Sequence, residues 1–115
     1  MGHRHVDEFR AEREELQELT LSRANLEIKR FFSLDGQAYR DGALPARTKE
    51  MLGLVASLVL RCDDCILYHL DQCHRLGVTD EELNEVLNIG LVVGGSIVIP
   101  HLRRAMRAWG ELGQG

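Results

Sequence analysis

Two cysteines and a histidine within eight residues are the part of this sequence best suited to chemistry: Cys62, Cys65 and His69. An α-helix turns about 100° per residue, so this spacing places all three side chains on one stripe within two turns. Cysteines three residues apart at the start of a helix can also reach the Cα separation of an unstrained disulfide. The spacing therefore predicts a thiol pair that can be oxidised reversibly beside an imidazole.

Cys65 is the predicted nucleophile of the pair. Because helical side chains lean towards the N-terminus, His69 covers the turn that holds Cys65 and can act as its base. The start of a helix favours a thiolate, whereas the charges of Asp63 and Asp64 oppose one. A base works best when a third group orients it. Glu50 is the best-placed carboxylate, since it lies level with His69 if the chain folds back between two antiparallel helices.

Buried packing cysteines and half of a zinc site are the alternative interpretations of a C-x-x-C spacing. Four zinc ligands on this helix would include Cys73, which lies about 16 Å along the axis from Cys62, too far for one straight helix to surround an ion. We therefore expect no metal and, without a glycine-rich nucleotide motif, no cofactor. Cys73 is interpreted as a core residue. The remaining histidines are interpreted as surface residues, namely His3, His5, His74 and His101.

Helical periodicity dominates the sequence. The chain has 115 residues, only two prolines and 5% aromatic residues, and no segment alternates as a strand would. We predict a single all-α domain. Its first half should begin with a peripheral polar helix within residues 1–20. An amphipathic helix should follow from Leu21 to about Tyr39, with a weak point at Gly36 and an end at Asp41-Gly42. A third helix should run from Pro45 to about Leu60.

Glycines and a capping motif delimit the second half. A fourth helix is predicted to begin near Cys62 and to end at Gly77 in a left-handed cap. Thr79 and Glu82 have the spacing of a capping box, which predicts the start of a fifth helix. The remaining boundaries are a break at Gly94-Gly95, followed by a last helix and a frayed tail at residues 110–115.

Charge and hydropathy exclude several classes of function. The net charge is -4, and the arginines are scattered rather than clustered, so nucleic acid is not an expected partner. The N-terminus lacks the apolar segment of a secretory signal, so we expect a cytoplasmic protein. The most apolar stretch, residues 86–100, is shorter than the roughly 20 residues of a membrane helix, so no membrane association is expected.

Residues 86–99 also bear on assembly. This run has almost no polar face, and a domain of this size buries only about two-thirds of its own surface. We expect a second copy of the chain to cover the remainder in a homo-oligomer. The alternative is a central helix that its own neighbours surround.

The motif residues resemble a known family, the AhpD-like alkylhydroperoxidase branch of the carboxymuconolactone decarboxylase family. The resemblance covers about residues 44–95, which form the motif-bearing core. Its specific part is the pattern E-x11-C-x2-C-x3-H, present here as Glu50, Cys62, Cys65 and His69. Around it lie Arg47-Thr48-Lys49, Ile66, Gly77-Val78-Thr79 and Glu81-Glu82.

The resemblance implies an all-helical bundle that assembles as a trimer or hexamer and reduces hydroperoxides. Cys65 would attack the peroxide, Cys62 would resolve the sulfenic acid as a disulfide, and Glu50 and His69 would relay protons. An unidentified external dithiol would restore the pair. In one respect the chain departs from some active peroxidases: Asp64 stands where they have a histidine.

Two other functions are the alternatives to a peroxidase. Decarboxylases of this family share the fold but lack the C-x-x-C. A redox sensor or assembly module would use the disulfide to change packing, without turnover.

Overall fold

Six α-helices and one short 3₁₀ turn make up residues 4–113, the part of the chain that this computed structural model describes. No strand occurs in that range, and the prediction of a single all-α domain is confirmed. The helices are α1 (Arg4–Arg23), α2 (Leu26–Ala38), α3 (Ala46–Val59), α4 (Asp63–Arg75), α5 (Asp80–Gly94) and α6 (Ile99–Gly113), with the 3₁₀ turn at Ser96–Val98 before α6.

The core lies where α3, α4, α5 and α6 meet. α3 packs against both α4 and α5, and α6 covers α4. Gly90 allows α5 to approach α3 closely, because a β-carbon there would lie 2.6 Å from Cδ2 of Leu58. The largest fully buried side chains are apolar apart from one thiol: Leu54, Leu58, Ile66, Leu70, Leu83, Val98 and Cys73.

The predicted boundaries of α4 and α5 are confirmed. Gly77 has a φ of 81°, the left-handed conformation that ends α4. Thr79 accepts from the backbone N–H of Glu82 at 3.1 Å, and the Glu82 carboxylate accepts from the N–H of Thr79 at 2.9 Å. This reciprocal capping box starts α5. Gly95, with a φ of 80°, follows the end of α5.

α2 differs from its prediction at its start. The expected helix from Leu21 is wrong, because α1 continues to Arg23 and α2 begins only after Asn25. The Asn25 side chain accepts from the N–H of Ile28 at 3.0 Å and caps the new helix. Gly36 does not interrupt α2, which ends at Ala38.

The end of the described chain is anchored rather than frayed. The backbone N–H of Val6 donates to Oε1 of Glu111 at 2.9 Å, and Nδ1 of His5 lies 2.7 Å from Oε2. Leu112 is buried beside them. The prediction of a frayed tail is therefore wrong for residues 110–113, because α6 holds the start of α1. Residues 114 and 115 lie outside the described range.

α1 is fixed at a second point, through Asp71 of α4. Its carboxylate accepts hydrogen bonds from Arg10 and from Arg75. Burial works to raise the pKa of Asp71, but these two guanidinium groups outweigh it and keep that pKa below its ordinary value. The first half of α1 is thus held against α4 and α6.

The stretch at residues 86–99 is only partly covered within one chain. Its inward face is buried at Leu87, Gly90 and Val98. The outward face is open, with Val92 83% and Val93 67% exposed. The alternative of a central helix surrounded by its own neighbours is therefore wrong for this chain. No helix in the described range is both long enough and apolar enough to cross a bilayer.

Candidate active site

The cysteine pair forms a disulfide at the N-terminus of α4. Cys62 is the N-cap residue: its sulfur accepts from the N–H of Cys65 at 3.3 Å, and its own N–H donates to the carbonyl of Ser57 at 3.1 Å. The two cysteine Cα atoms are 5.3 Å apart, within the usual disulfide range. Arg61, at a left-handed φ of 60°, turns the chain sharply between α3 and α4. Cys65 is exposed, whereas Cys62 is half-buried.

Glu50 of α3 and His69 of α4 meet between the two helices. Nδ1 of His69 is 2.7 Å from Oε1 of Glu50, and the residues are only 8% and 5% exposed. They lie level on neighbouring helices, as their spacing predicts. Since a carboxylate only accepts hydrogen bonds, we assign the ring proton to Nδ1, which donates to Glu50. The lone pair of Nε2 is then available to accept a proton.

Two neighbours of His69 escaped the sequence prediction. Tyr39, the C-cap residue of α2, places its hydroxyl 3.5 Å from Nε2 of His69. Gly53 of α3 lies against both rings, because a β-carbon there would stand 2.7 Å from Cε1 of His69 and 2.9 Å from the Tyr39 hydroxyl. A glycine inside an apolar helix costs about 1 kcal/mol relative to alanine, so Gly53 could have been recognised as a site of close approach. Tyr39 carries no comparable signal.

Cys65 and His69 line one cavity of about 380 Å³, a volume typical of small-molecule sites. The cavity lies between α1, the end of α2 and the first half of α4. Arg13 of α1 sits 4.2 Å above the ring of Tyr68, a cation–π contact that fixes this wall. The other lining residues are apolar, aromatic, acidic or neutral polar: Phe9, Leu16, Tyr39, Glu12, Asp35, Asp64, Gln17 and Thr20.

The two cavity phenols are held in their protonated form. Burial, and next the negative charge of Glu50, raises the pKa of Tyr39. The same two causes, in the same order, raise the pKa of Tyr68. Both hydroxyls therefore remain available as proton or hydrogen-bond donors at neutral pH.

Asp63, the first residue between the cysteines, is held by α6. Nδ1 of His101 donates to one carboxylate oxygen at 2.8 Å, and Nε of Arg104 donates to the other at 3.0 Å. The side chain of His101 is only 18% exposed, so its interpretation as a surface residue is wrong: α6 folds back over the start of α4. Arg104 offsets the charge of Asp63, which therefore opposes a thiolate less than the sequence suggests. Asp64 is exposed and lines the cavity.

The other candidate residues lie apart from the cavity. Cys73 is fully buried, as predicted, and burial raises the pKa of its thiol to about 12. His74 and His5 are exposed, also as predicted, whereas His3 is outside the described residues. Between residues 4 and 113, no group of three or more histidine, cysteine or carboxylate side chains is arranged to hold a metal ion.

A match to a family model establishes which protein family the chain belongs to. The model of the carboxymuconolactone decarboxylase family matches residues 28–108, which include Glu50, both cysteines of the pair, His69 and Tyr39. The chain belongs to the carboxymuconolactone decarboxylase family.

Solved structures of this family share the fold. The protein TM1620 of Thermotoga maritima is 59% identical, with a TM-score of 0.91 over 93% of this chain and 94% of that chain. A second structure of TM1620 gives 58% identity and a TM-score of 0.89, over 93% of this chain and 91% of that chain. For this carboxymuconolactone decarboxylase family protein, an involvement in an antioxidative response is suggested. A family member from Legionella pneumophila is 29% identical, with a TM-score of 0.63 over 98% and 92% of the two chains.

Curated relatives match over shorter lengths. An uncharacterized protein of Cupriavidus necator is 43% identical over 58 residues, 50% of this chain and 51% of that protein. This chain thus spans about half the length of that relative. Uncharacterized protein 4 in the cox locus of Paracoccus denitrificans is 28% identical over 82 residues, 71% of this chain and 74% of that protein.

Proposed function

We propose that this family member is a thiol-dependent peroxidase that reduces hydroperoxides through a Cys62–Cys65 disulfide. One observation carries the proposal: an exposed cysteine of the pair shares a cavity with His69, whose imidazole is oriented by the buried carboxylate of Glu50. The antioxidative response suggested for the Thermotoga maritima relative agrees with this function.

The oxidative half of the cycle begins at Cys65. Its thiolate attacks the terminal oxygen of ROOH, so an S–O bond forms, the O–O bond breaks, and an alkoxide leaves that becomes ROH on protonation. Cys65 is then a sulfenic acid. The thiol of Cys62 attacks it, which forms the disulfide and releases water. The two electrons that reduce the peroxide thus come from the two thiols.

Glu50 and His69 serve the first step. Nε2 of His69 takes the proton of the Cys65 thiol, and the resulting imidazolium is stabilised by the ionised Glu50 at Nδ1. Glu50 also fixes the ring so that Nε2 is the basic nitrogen. The short contact between the two residues, 2.7 Å, supports this assignment of roles.

An external dithiol completes the cycle. Its thiolate attacks Cys65, the exposed member of the disulfide, and the electron pair of the broken S–S bond goes to the sulfur of Cys62. The second donor thiol then releases Cys65 and leaves the donor as a disulfide. We place this reaction in the cytoplasm, where thiol pools are kept reduced.

The active species is a homo-oligomer, either a trimer or a hexamer. Large apolar side chains on the outward face of residues 86–99 support this part of the proposal, because a partner chain would remove them from water. The most exposed of them are Val92, Val93, Ile97 and Ile89.

Peroxide consumption in the presence of a dithiol tests the function. The reduced protein should consume an organic hydroperoxide over many turnovers, and mass spectrometry should find the Cys62–Cys65 disulfide after a single equivalent of peroxide. Cys65→Ser should abolish consumption. Cys73→Ser is the matched control and should not change the rate, because Cys73 is buried away from the cavity.

Two other experimental outcomes would indicate a function other than a peroxidase. Formation of the disulfide with one equivalent of peroxide, but without turnover when dithiol is present, would indicate a redox sensor. If both thiols stay free after peroxide treatment, the thiol mechanism fails. Decarboxylation of a lactone acid would then be the reaction to assay.

A further inference from the structure

The reduction of a hydroperoxide requires two proton movements, and the Glu50–His69 pair acts as the base in the first of them. They can remove the proton from the Cys65 thiol, but the alkoxide that leaves when the O–O bond breaks is a strong base that needs a proton at once. A donor near Nε2 of His69 would supply it and could be recharged from the imidazolium. The Tyr39 hydroxyl is 3.5 Å from that nitrogen and lines the same cavity as Cys65.

We propose that Tyr39 is the catalytic acid of this site, donating its phenolic proton to the leaving oxygen of the hydroperoxide. The inference rests on the proposed peroxidase function and adds to it a residue outside the family motif. It also explains why Gly53 lies where a β-carbon would collide with both the imidazole and the phenol: a side chain there would separate the two rings.

The protons balance over one oxidation. The Cys65 proton moves to Nε2 of His69, the thiolate takes the terminal OH of ROOH, and RO⁻ takes the proton of Tyr39. The tyrosinate then receives the proton that His69 holds. The net change is Cys65–SH plus ROOH to Cys65–SOH plus ROH, and both relay residues return to their starting state.

The other cavity residues fit this role less well. Tyr68 also carries a phenol at the same centroid separation of 5.3 Å from the imidazole, but its ring is edge-on, at 71° compared with 40° for Tyr39, and Arg13 covers its face. The carboxylates of the lining have no proton to give when ionised. The Thr20 hydroxyl already donates to the carbonyl of Leu16 at 2.7 Å. Burial and the charge of Glu50 raise the pKa of both phenols, so each enters the cycle protonated. Tyr39 differs in that its hydroxyl contacts Nε2 of His69. A contact of 3.5 Å is long for a hydrogen bond, but catalytic contacts commonly shorten when substrate binds.

The test compares leaving groups. In a Cys62→Ser background, which isolates the first step, the rate of Cys65 sulfenic acid formation is measured by dimedone trapping with tert-butyl hydroperoxide and with peracetic acid. The first releases a strongly basic alkoxide, whereas the second releases acetate, which needs no proton. Tyr39→Phe should slow the reaction with tert-butyl hydroperoxide by about 10²-fold, the lower range for general acid catalysis, and should leave the peracetic acid rate nearly unchanged.

Tyr68→Phe removes the other cavity phenol, and the ratio of the two oxidation rates should change less in this variant than in Tyr39→Phe. Alkylation of Cys65 by iodoacetamide should be equal in the parent and in Tyr39→Phe, because the thiolate is formed by His69. If Tyr39→Phe slows both oxidants equally, the phenol only positions His69, and if it slows neither, Tyr39 has no role; either result overturns the inference and leaves the peroxidase function standing. If the parent protein fails to react with tert-butyl hydroperoxide at all, both proposals fall together.

Discussion

Gly53 and His69 are in such close contact that no other residue fits at position 53 without moving the imidazole, since a β-carbon would lie 2.7 Å from Cε1 and 2.8 Å from Nε2. Gly53→Ala should therefore displace the ring from Glu50 and from the cavity. A displacement of about 1 Å in a catalytic group can cost about 10² in rate, and we expect a loss of that order in peroxide turnover.

Gly36→Ala is the control for this substitution. Gly36 lies inside α2 with no other group within 4 Å of its β-carbon position. The change should keep full activity and add about 0.5–1 kcal/mol to the free energy of unfolding, the usual gain for alanine in a helix. Equal turnover by Gly53→Ala and the parent protein would show that the position of His69 is unimportant.

His69→Gln should lower the rate of Cys65 oxidation by roughly 10²- to 10⁴-fold, because it removes the proposed base. Glu50→Gln should have a smaller effect, since it removes the orienting charge but retains the imidazole. The measurement is the pH dependence of Cys65 alkylation together with the melting temperature of each variant. Unchanged alkylation with a clearly lower melting temperature would mean that the pair is only a buried hydrogen bond, worth about 1 to 3 kcal/mol.

Local signals made several helix ends and the main residue pairs of the site predictable from sequence. Gly77 and the Thr79–Glu82 capping box fix helix ends through their own backbone conformation and hydrogen bonds, which involve only neighbouring residues. The Glu50–His69 pair was also accessible, because a single turn between two helices determines which residues lie level. The spacing of the cysteines predicted a stripe, and the disulfide lies on it.

Contacts between segments that are distant in the sequence could not be predicted from such local signals. His101 looks like a surface residue in the sequence, and only the docking of α6 across α4 brings it to Asp63, 38 residues away. Glu111 was similarly predicted to lie in a frayed C-terminal segment, whereas it forms hydrogen bonds with Val6 and His5 of α1. The break at Asn25 was a local signal, a good N-cap residue, that the regular spacing of apolar residues obscured.

The two aspartates between the cysteines should differ in their effects. Asp64 is exposed and lines the cavity, so Asp64→Asn should increase Cys65 alkylation at neutral pH by about 2- to 5-fold, the scale of an exposed charge pair. Asp63→Asn should change alkylation less, because Arg104 already offsets that charge, but should lower the melting temperature more. Equal effects on alkylation would contradict the role assigned to α6.

The start of α5 should weaken in acid. Hydrogen bonds from Arg47 and from the backbone of Thr79 lower the pKa of Glu82 from 4.5 to about 2. A folded-state pKa below the unfolded value means that Glu82 contributes stability above about pH 4.5 and loses it as the pH falls towards 2. The melting temperature of the parent should therefore exceed that of Glu82→Gln near neutral pH, and the difference should vanish across this window. Glu81→Gln, which alters an exposed neighbour, should show a smaller change.

Assembly is the remaining prediction. Val92 is 83% exposed in the single chain, so Val92→Asp should leave the helix content of one chain intact. If the outward face of residues 86–99 packs against a second copy, the same substitution would place an unpaired charge in an apolar interface and should dissociate the assembly. Light scattering at micromolar concentration should give the parent protein a mass of several times 13.0 kDa and the variant a mass close to it. A parent protein that scatters as a monomer would refute the assembly. A variant of unchanged mass would instead place the interface on another surface, for which the exposed apolar side chains of α2, led by Phe31 and Leu34, are the next to substitute.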